Sequence, residues 1–442
     1  MINNLSLIIS PSTLEKKMID QTKITPLQYT TIFICFLMNM LDGMDVMVIS
    51  YTAPSIAKEW AIEPSKLGLV FSAGLLGMAI GAMFLASKAD IIGRRAMILL
   101  SASIMGVCVW STVFAQSVET LLFIRFISGI GIGSMLASTA TLASEYSPTK
   151  TKDFWVSFVM AGYPIGAVLS GIVAAKIIPL EGWRAMFQLA GIVTLFTLPI
   201  IYFFLAESLD FLLKSRPKNA LNRANILLQK MQLPPLTELP FIESSIKKAA
   251  VAELFSENRK NNTFWLWLSI FMAFATLYFL TMWIPKLATN TGLSTELAIY
   301  AGTVFNLGAF FGIVSQGYLS AQFGLKRVIC FFLITTALLM LVFGLFKGSV
   351  MVLILFGLIG FGIQGGFVGM YSVAAKLYPT QIRTTGVGWA VGLGRVGAVV
   401  GPIVGGLLIG MGLTMTTNFI IFAIPTIISG IAILFITFSD SK

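Results

Sequence analysis

The sequence predicts an all-α polytopic membrane protein, with 12 transmembrane helices in two six-helix parallel repeats. Three observations carry that prediction. The chain has 442 residues, of which 57% are hydrophobic and 11% charged, against about 25% charged in an ordinary soluble domain. A compact core stops growing near roughly 250–300 residues, and 30 basic with 19 acidic side chains are too few to coat a soluble chain this long. Second, twelve stretches reach the roughly 20 apolar residues that cross a hydrocarbon core. Third, residues recur at a fixed offset of 231, pairing Gly77 with Gly308, Gly81 with Gly312, Gly93 with Gly324, Gly129 with Gly360, Gly131 with Gly362, Pro148 with Pro379, Thr149 with Thr380 and Gly166 with Gly397.

The expected spans run over 28–53, 66–87, 96–115, 119–146, 153–176, 184–206, 263–286, 297–320, 327–346, 349–375, 384–411 and 415–438. Lipid tolerates no unpaired backbone, and none of these runs shows the two-residue alternation of a barrel strand, so each reads as a helix. The organisation follows: an N-terminal tail (1–27), a six-helix bundle (28–206), a polar linker (207–262), a second six-helix bundle (263–438) and a C-terminal tail (439–442). The Leu5 to Ile9 run is too short for a secretory leader, so the first long apolar segment serves as an uncleaved insertion signal. Within the linker, the Leu212 to Met231 portion has the composition of a short surface helix that Pro234 and Pro235 end.

An even number of spans puts both termini on one side. If that side is cytoplasmic, 22 of the 30 Lys and Arg residues fall there and six fall outside, which satisfies the positive-inside rule. The formal charge of +11 is therefore accounted for by topology, and no nucleic-acid partner is implied. Cys35, Cys108 and Cys330 lie singly in apolar runs, without the spacing of a disulfide framework or zinc site. The chain has no histidine, so any proton chemistry falls to carboxylates.

Function is expected where the repeats disagree. The offset places Ala273 opposite Asp42, Thr276 opposite Asp45, Phe356 opposite Arg125, Ala321 opposite Asp90 and Pro164 opposite Arg395. Asp42 and Asp45 share a helix face near the middle of the first span. Two carboxylates in low dielectric are costly to keep ionised together, so at least one is a candidate to bind and release H⁺. The alternative is structural: Asp45 held as a permanent ion pair by Arg125. Arg125 and Arg395 stay charged in the membrane interior, and Arg395 has no matching acid in its own half, which invites a substrate carboxylate. Helix carbonyls satisfying that arginine are the competing reading.

On the cytoplasmic side, the loop Asp90-Ile91-Ile92-Gly93-Arg94-Arg95 meets Glu145 at the end of the fourth span. Together with Arg383 these residues are candidates for a gate, or simply for topological anchors. Glycines at 129–133 and 392–406 let helices approach closely. Tyr278, Phe305, Tyr371 and Trp389 are candidate aromatic linings of a cavity, and Asn39, Asn306 and Gln364 are candidate buried amides for substrate contact.

Asp90 to Arg95 resembles the loop signature of the major facilitator superfamily between spans two and three, and Arg125-Phe-Ile-Ser-Gly129-Ile-Gly131-Ile-Gly133 resembles its fourth-span signature. Within it, Leu41-Asp42-Gly43-Met44-Asp45, Ser144 to Pro148, Tyr378-Pro379-Thr380, Arg383 to Trp389 and Gly394-Arg395 are similar to the aromatic acid:H⁺ symporters. The resemblance implies the major facilitator fold and import of benzoate-type acids, protocatechuate, 4-hydroxybenzoate or the ring-opened diacid muconate. Ala86 and Lys88 depart from the residues usual before the signature acid, and Ala321 from the acid of its second copy.

The expected function is thus proton-coupled import of a small, aromatic or ring-opened carboxylate across the cell's inner membrane by a monomer, without a cofactor or bound metal. Arg125 and Arg395 would attract the anion, and Asp42 and Asp45 would carry the proton. A proton-driven exporter of cationic drugs and a non-transporting membrane sensor stand as alternatives. No nucleophile with its base or metal cluster is visible in the sequence, which argues against an enzyme.

Overall fold

The computed structural model of the chain describes residues 24–148, 151–239, 251–255, 259–346, 348–379 and 382–437. Most of the expected N-terminal tail, the C-terminal tail 439–442, Thr149 and Thr380 lie outside the described residues. Twelve helices are long and apolar enough to cross a membrane. In the first half these are α1 Pro26–Glu59, α2 Pro64–Ile92, α3 Arg94–Phe114, α4 Val118–Tyr146, α5 Phe154–Glu181 and α6 Trp183–Phe204. In the second they are α7 Arg259–Asn290, α8 Thr295–Phe323, α9 Leu325–Leu345, α10 Ser349–Leu377, α11 Thr385–Gly410 and α12 Met415–Phe435.

Local chemistry sets the boundaries. Thr25 and Gln28 form a capping box at the start of α1, with Pro26 in the first turn where its missing N–H costs nothing. Gly93 at φ +100° and Gly324 at φ +89° turn the chain between α2 and α3 and between α8 and α9, so one repeat pair marks equivalent corners. The linker differs from the single helix expected over 212–231. It forms two, Leu209–Ser215 and Ala220–Lys230, because Arg216 takes a left-handed conformation (φ 46°) ahead of Pro217, which disfavours helix in the residue before it.

The repeat is legible as identical helix seams. A Cβ on Gly77 of α2 would overlap the carbonyl oxygen of Phe126 on α4, and one on Gly308 of α8 would overlap that of Gly357 on α10. Likewise Gly166 of α5 lies on the Met40 carbonyl of α1, and Gly397 of α11 on the Phe271 carbonyl of α7. Each glycine and each carbonyl it touches are 231 residues from their counterparts. Large apolar side chains such as Leu180, Phe196 and Phe203 are turned outward, as expected of surface that faces lipid.

Among the described residues, the hydrogen bonds that join the halves lie toward the end that carries the α1–α2 and α7–α8 loops. Ser50 Oγ on α1 donates to the Thr281 and Met282 carbonyls of α7 at 2.8 and 3.0 Å. Thr281 needs that donor, since Pro285 one turn on has no N–H to return. Ser72 Oγ on α2 donates to the Val399 carbonyl of α11 at 2.7 Å. Near the opposite end of α11, a Cβ on Gly388 or Gly392 would meet nothing within 4 Å, and Trp389 is 48% exposed. The molecule is closed at one end and open at the end of the linker.

Gly166→Val and Gly397→Val should each destabilise the detergent-solubilised protein by about 1–3 kcal/mol through overpacking, whereas Gly388→Val should leave its melting temperature unchanged. Equal melting temperatures for all three would remove the seams as a source of stability.

Candidate functional site

Asp42 and Asp45 sit in the middle of α1, their side chains about 60° apart around the helix axis. The glycine between them has a spatial reason. A Cβ on Gly43 would overlap the Tyr163 carbonyl oxygen, so glycine brings α5, and with it the Tyr163 ring, against this turn of α1.

The two acids have different surroundings. Arg125 Nη1 on α4 donates to Asp45 Oδ1 at 2.9 Å, and Ser128 Oγ donates to Oδ2 at 3.1 Å. Both charged side chains are buried, so the pair is desolvated and held by three donors from one helix face when the 3.4 Å contact of Arg125 Nη2 with the Asp45 carbonyl is included. Asp42 is buried too, yet neither of its oxygens has a hydrogen-bond partner. Its electrostatic neighbours are Arg395, from the other half, and Asp45. Arg395 is 9% exposed, with Nη1 buried and likewise without a partner.

Tyr163 of α5 and Tyr278 of α7 lie within electrostatic range of both Asp42 and Arg395, and Tyr371 of α10 within range of Arg395. An unpaired carboxyl and an unpaired guanidinium, contributed by different halves and with three tyrosines in electrostatic range of the guanidinium, can hold a small anion and a proton. Asn39 adds an amide below them: its Nδ2 donates to the Cys35 carbonyl and to Thr139 Oγ1, while its Oδ1 is buried and unpartnered.

Other candidates from the sequence fall elsewhere. Phe305 is fully buried in α8 beneath Gly360. Asn306 Nδ2 donates to the Gly302 carbonyl at 2.9 Å and reaches Met47 Sδ at 3.6 Å, which places it in the α1–α8 junction. Gln364 is half-buried on α10. Trp389 stacks on Trp267 at 6.2 Å near the open end.

At the end of the first half nearest the linker, Asp90, Gly93, Arg94, Arg95 and Glu145 come together. Arg94 bridges Asp90 at 3.1 Å and Glu145 at 3.0 Å. The sequence reading missed two further members, Glu207 and Ser208, where α6 enters the linker. Ser208 Oγ donates to Glu145 Oε2 at 2.5 Å, the Arg95 backbone N–H donates to Glu207 Oε1 at 3.1 Å, and Tyr146 donates to the Glu207 carbonyl at 2.6 Å. The Arg95 guanidinium donates to the Tyr202 carbonyl. A side chain on Gly93 would run into the Glu207 carboxylate, so the glycine is needed for space as well as for its φ. Arg383 stands apart, with Nε donating to the Tyr378 carbonyl at 3.3 Å in the second half.

Tyr163 was also missed, although a signal was present: it precedes Pro164, the residue that the repeat aligns with Arg395. Glu207 and Ser208 carry no comparable mark, because any polar pair following a span reads as linker.

Twelve spanning helices in two repeated sets, closed at one end around buried charges from both sets, define a membrane transporter. The chain belongs to the major facilitator superfamily: the family model described as Major Facilitator Superfamily matches residues 35–316 and 288–442. It is 32% identical over 422 residues to the 4-hydroxybenzoate transporter PcaK of Acinetobacter baylyi, covering 94% of this chain and 92% of that one. It is 31% identical over 432 residues to the benzoate transport protein of the same organism, covering 95% and 91%. Among solved structures, the inward open conformation of the xylose transporter XylE from E. coli matches with a TM-score of 0.73 at 17% identity, over 94% of this chain and 98% of that one. The last likeness bears on the fold. The relatives are named transporters, and this chain is a transporter and not an enzyme.

Removing Arg125 strands a buried carboxylate. Arg125→Leu should cost about 3–5 kcal/mol of stability, and adding Asp45→Asn should recover most of that loss. A double variant no more stable than Arg125→Leu, by unfolding in detergent, would show that the pair does not tie α1 to α4.

Proposed function

We propose that the chain is a proton-coupled symporter that imports a small aromatic carboxylate, of the benzoate and hydroxybenzoate type, by alternating access. The observation that carries this reading is the pairing of Asp42 and Arg395 across the junction, opposite charges within electrostatic range and without hydrogen-bond partners on either Asp42 oxygen or on Arg395 Nη1. A guanidinium with a free edge takes a carboxylate through parallel N–H···O bonds. Ionised Asp42 competes for that guanidinium and repels the incoming anion; a proton on Asp42 removes both effects. Proton and anion therefore promote each other's binding, and the coupling is equal in both directions.

Proton coupling also answers an electrical problem. Carrying a lone anion into a negative-inside compartment costs about 2.3 kcal/mol per 100 mV, and one accompanying proton cancels that cost. Of the two interior arginines, Arg125 is engaged by Asp45, which leaves Arg395 for the substrate and favours one carboxylate over a diacid such as muconate. Tyr163, Tyr278 and Tyr371 offer ring faces and hydroxyls to an aromatic acid, and the names of the relatives, 4-hydroxybenzoate and benzoate transporters, support the same class. The distribution of basic residues supports cytoplasmic termini in a cell's inner membrane, so that the open end faces inward. The Asp90–Arg94–Glu145 cluster, latched by Glu207 and Ser208, then acts as the inner gate of the first half.

In proteoliposomes, an inward proton gradient should accumulate labelled benzoate or 4-hydroxybenzoate about tenfold per pH unit for one proton per anion. Uptake indifferent to the gradient would end the symport reading. Asp42→Asn should abolish gradient-driven accumulation while counterflow exchange persists; an Asp42→Asn protein that still accumulates substrate would move the proton elsewhere. Arg395→Lys should weaken substrate affinity about tenfold, and full affinity in that variant would remove the bidentate contact.

A further inference from the structure

A cavity of about 540 Å³ lies outside the closed end of the junction. Both halves line it, with Ser55 and Lys58 from the end of α1 and Lys286 and Thr289 from the end of α7. The 231-residue offset pairs Ser55 with Lys286 and Lys58 with Thr289. It also pairs the prolines that precede them inside the two helices, Pro54 and Pro285. The repeat-related positions thus bring one hydroxyl and one ammonium group from each half, three residues apart and in opposite order, and Asn290 and Thr295 add polar groups from the second half. The two lysines are not copies of one ancestral residue. They occupy non-equivalent positions and converge on one hollow at the axis relating the halves.

The charge balance there is one-sided. No carboxylate is among the described residues lining the cavity. Glu59, next to Lys58, is turned away into a salt bridge with Arg184 at 2.7 Å and a hydrogen bond from Trp183 Nε1 at 2.7 Å. Thr289 spends its hydroxyl proton on the Lys286 carbonyl at 2.7 Å, so the donors left for a ligand are the two ammonium groups, the Ser55 and Thr295 hydroxyls and the Asn290 amide. The hydrogen bonds from Ser50 to Thr281 and Met282 lie beneath it, about 7 Å deeper along α1 than Ser55.

We propose that this cavity is a capture site for a small organic carboxylate on the outer face, occupied before the halves part and separate from the site at Arg395. The proposal rests on the reading of the chain as an importer of such an acid. Its geometry gives capture a direction. Opening the closed end draws α1 away from α7, which separates Lys58 from Lys286 and loosens the grip on the anion as the route to Arg395 appears. Lys58 is exposed and Lys286 half-buried, so binding is weak and screened by salt, which suits a site that must release inward.

The test uses labelled benzoate and the full chain reconstituted in one orientation. Lys58→Gln/Lys286→Gln should raise the KM for uptake from the outer face about fivefold, leave kcat and the half-saturation for efflux unchanged, and flatten the dependence of KM on salt. Lys58→Arg/Lys286→Arg should restore the wild-type KM. A second measurement does not depend on transport: benzoate should slow modification of Lys286 by a membrane-impermeant amine reagent, read by mass spectrometry, in wild-type and in Arg395→Gln protein alike. An unchanged KM in the double glutamine variant, or absence of protection in Arg395→Gln, overturns the proposal. Protection without any wild-type uptake would fail the importer reading alone and leave the anion site standing.

Discussion

The ion pair between Asp45 and Arg125 meets the constraint on which the remaining arrangement depends, that a charge placed among apolar helices must find its opposite or be several kcal/mol out of place. Once Arg125 has closed on Asp45, α1 is fastened to α4 along the first half. Asp42 is left to face α5 and the second half without a partner of its own. The same fastening takes one of the two interior arginines out of play and leaves Arg395 opposite Asp42. A single satisfied pair therefore leaves, by subtraction, Asp42 and Arg395 as the interior charges with unpartnered atoms, the ones proposed above to handle ligands.

Much of the fold was legible because lipid penalises ambiguity. An uncovered backbone group or a stray charge is so costly in hydrocarbon that twelve apolar runs and four interior ionisable residues stand out plainly. The glycine coincidences at one offset were legible as a repeat, and the structure gives a cause for four of the pairs: Gly77/Gly308, Gly81/Gly312, Gly129/Gly360 and Gly166/Gly397 each lie on matched carbonyls. The candidate site was only partly legible. Spacing put Asp42 and Asp45 on one helix face, and no pattern in α1 alone says which of them Arg125 and Ser128 will reach. Tyr163, Glu207 and Ser208 enter through the tertiary approach of α5 and of the linker. Asn306 reads like any buried amide until the packing of α8 against α1 assigns it to the junction. The linker reads as one helix over 212–231 and folds as two because helix-forming composition hides the effect of Pro217 on Arg216.

The contrast between seams within a half and contacts between halves bears on how the molecule moves. Inside each half, glycines sit directly on neighbouring carbonyls, and packing of that kind leaves no slack for helices to slide. Between halves, the contacts include hydroxyl-to-carbonyl hydrogen bonds, the Asn306–Met47 contact and the close approach of Gly68 and Gly406 to the Pro402 and Pro64 carbonyls, all toward one end. In the proposed alternating-access cycle, displacement would be concentrated at the junction, with each half turning as a body. Asp42 and Arg395 belong to different bodies, so the distance that governs their mutual attraction changes with the motion.

Pro285 leaves the Thr281 carbonyl without its helical donor, and Ser50 supplies one from across the junction. If the junction parts as the proposed alternating access requires, that oxygen loses Ser50, and water is the donor that opening would bring to it. In that proposed cycle, passage to the other state would carry a hydration requirement at this oxygen. The equilibrium between the two shapes then responds to water activity, and osmolytes excluded from the protein surface bias it toward the dry, sealed form.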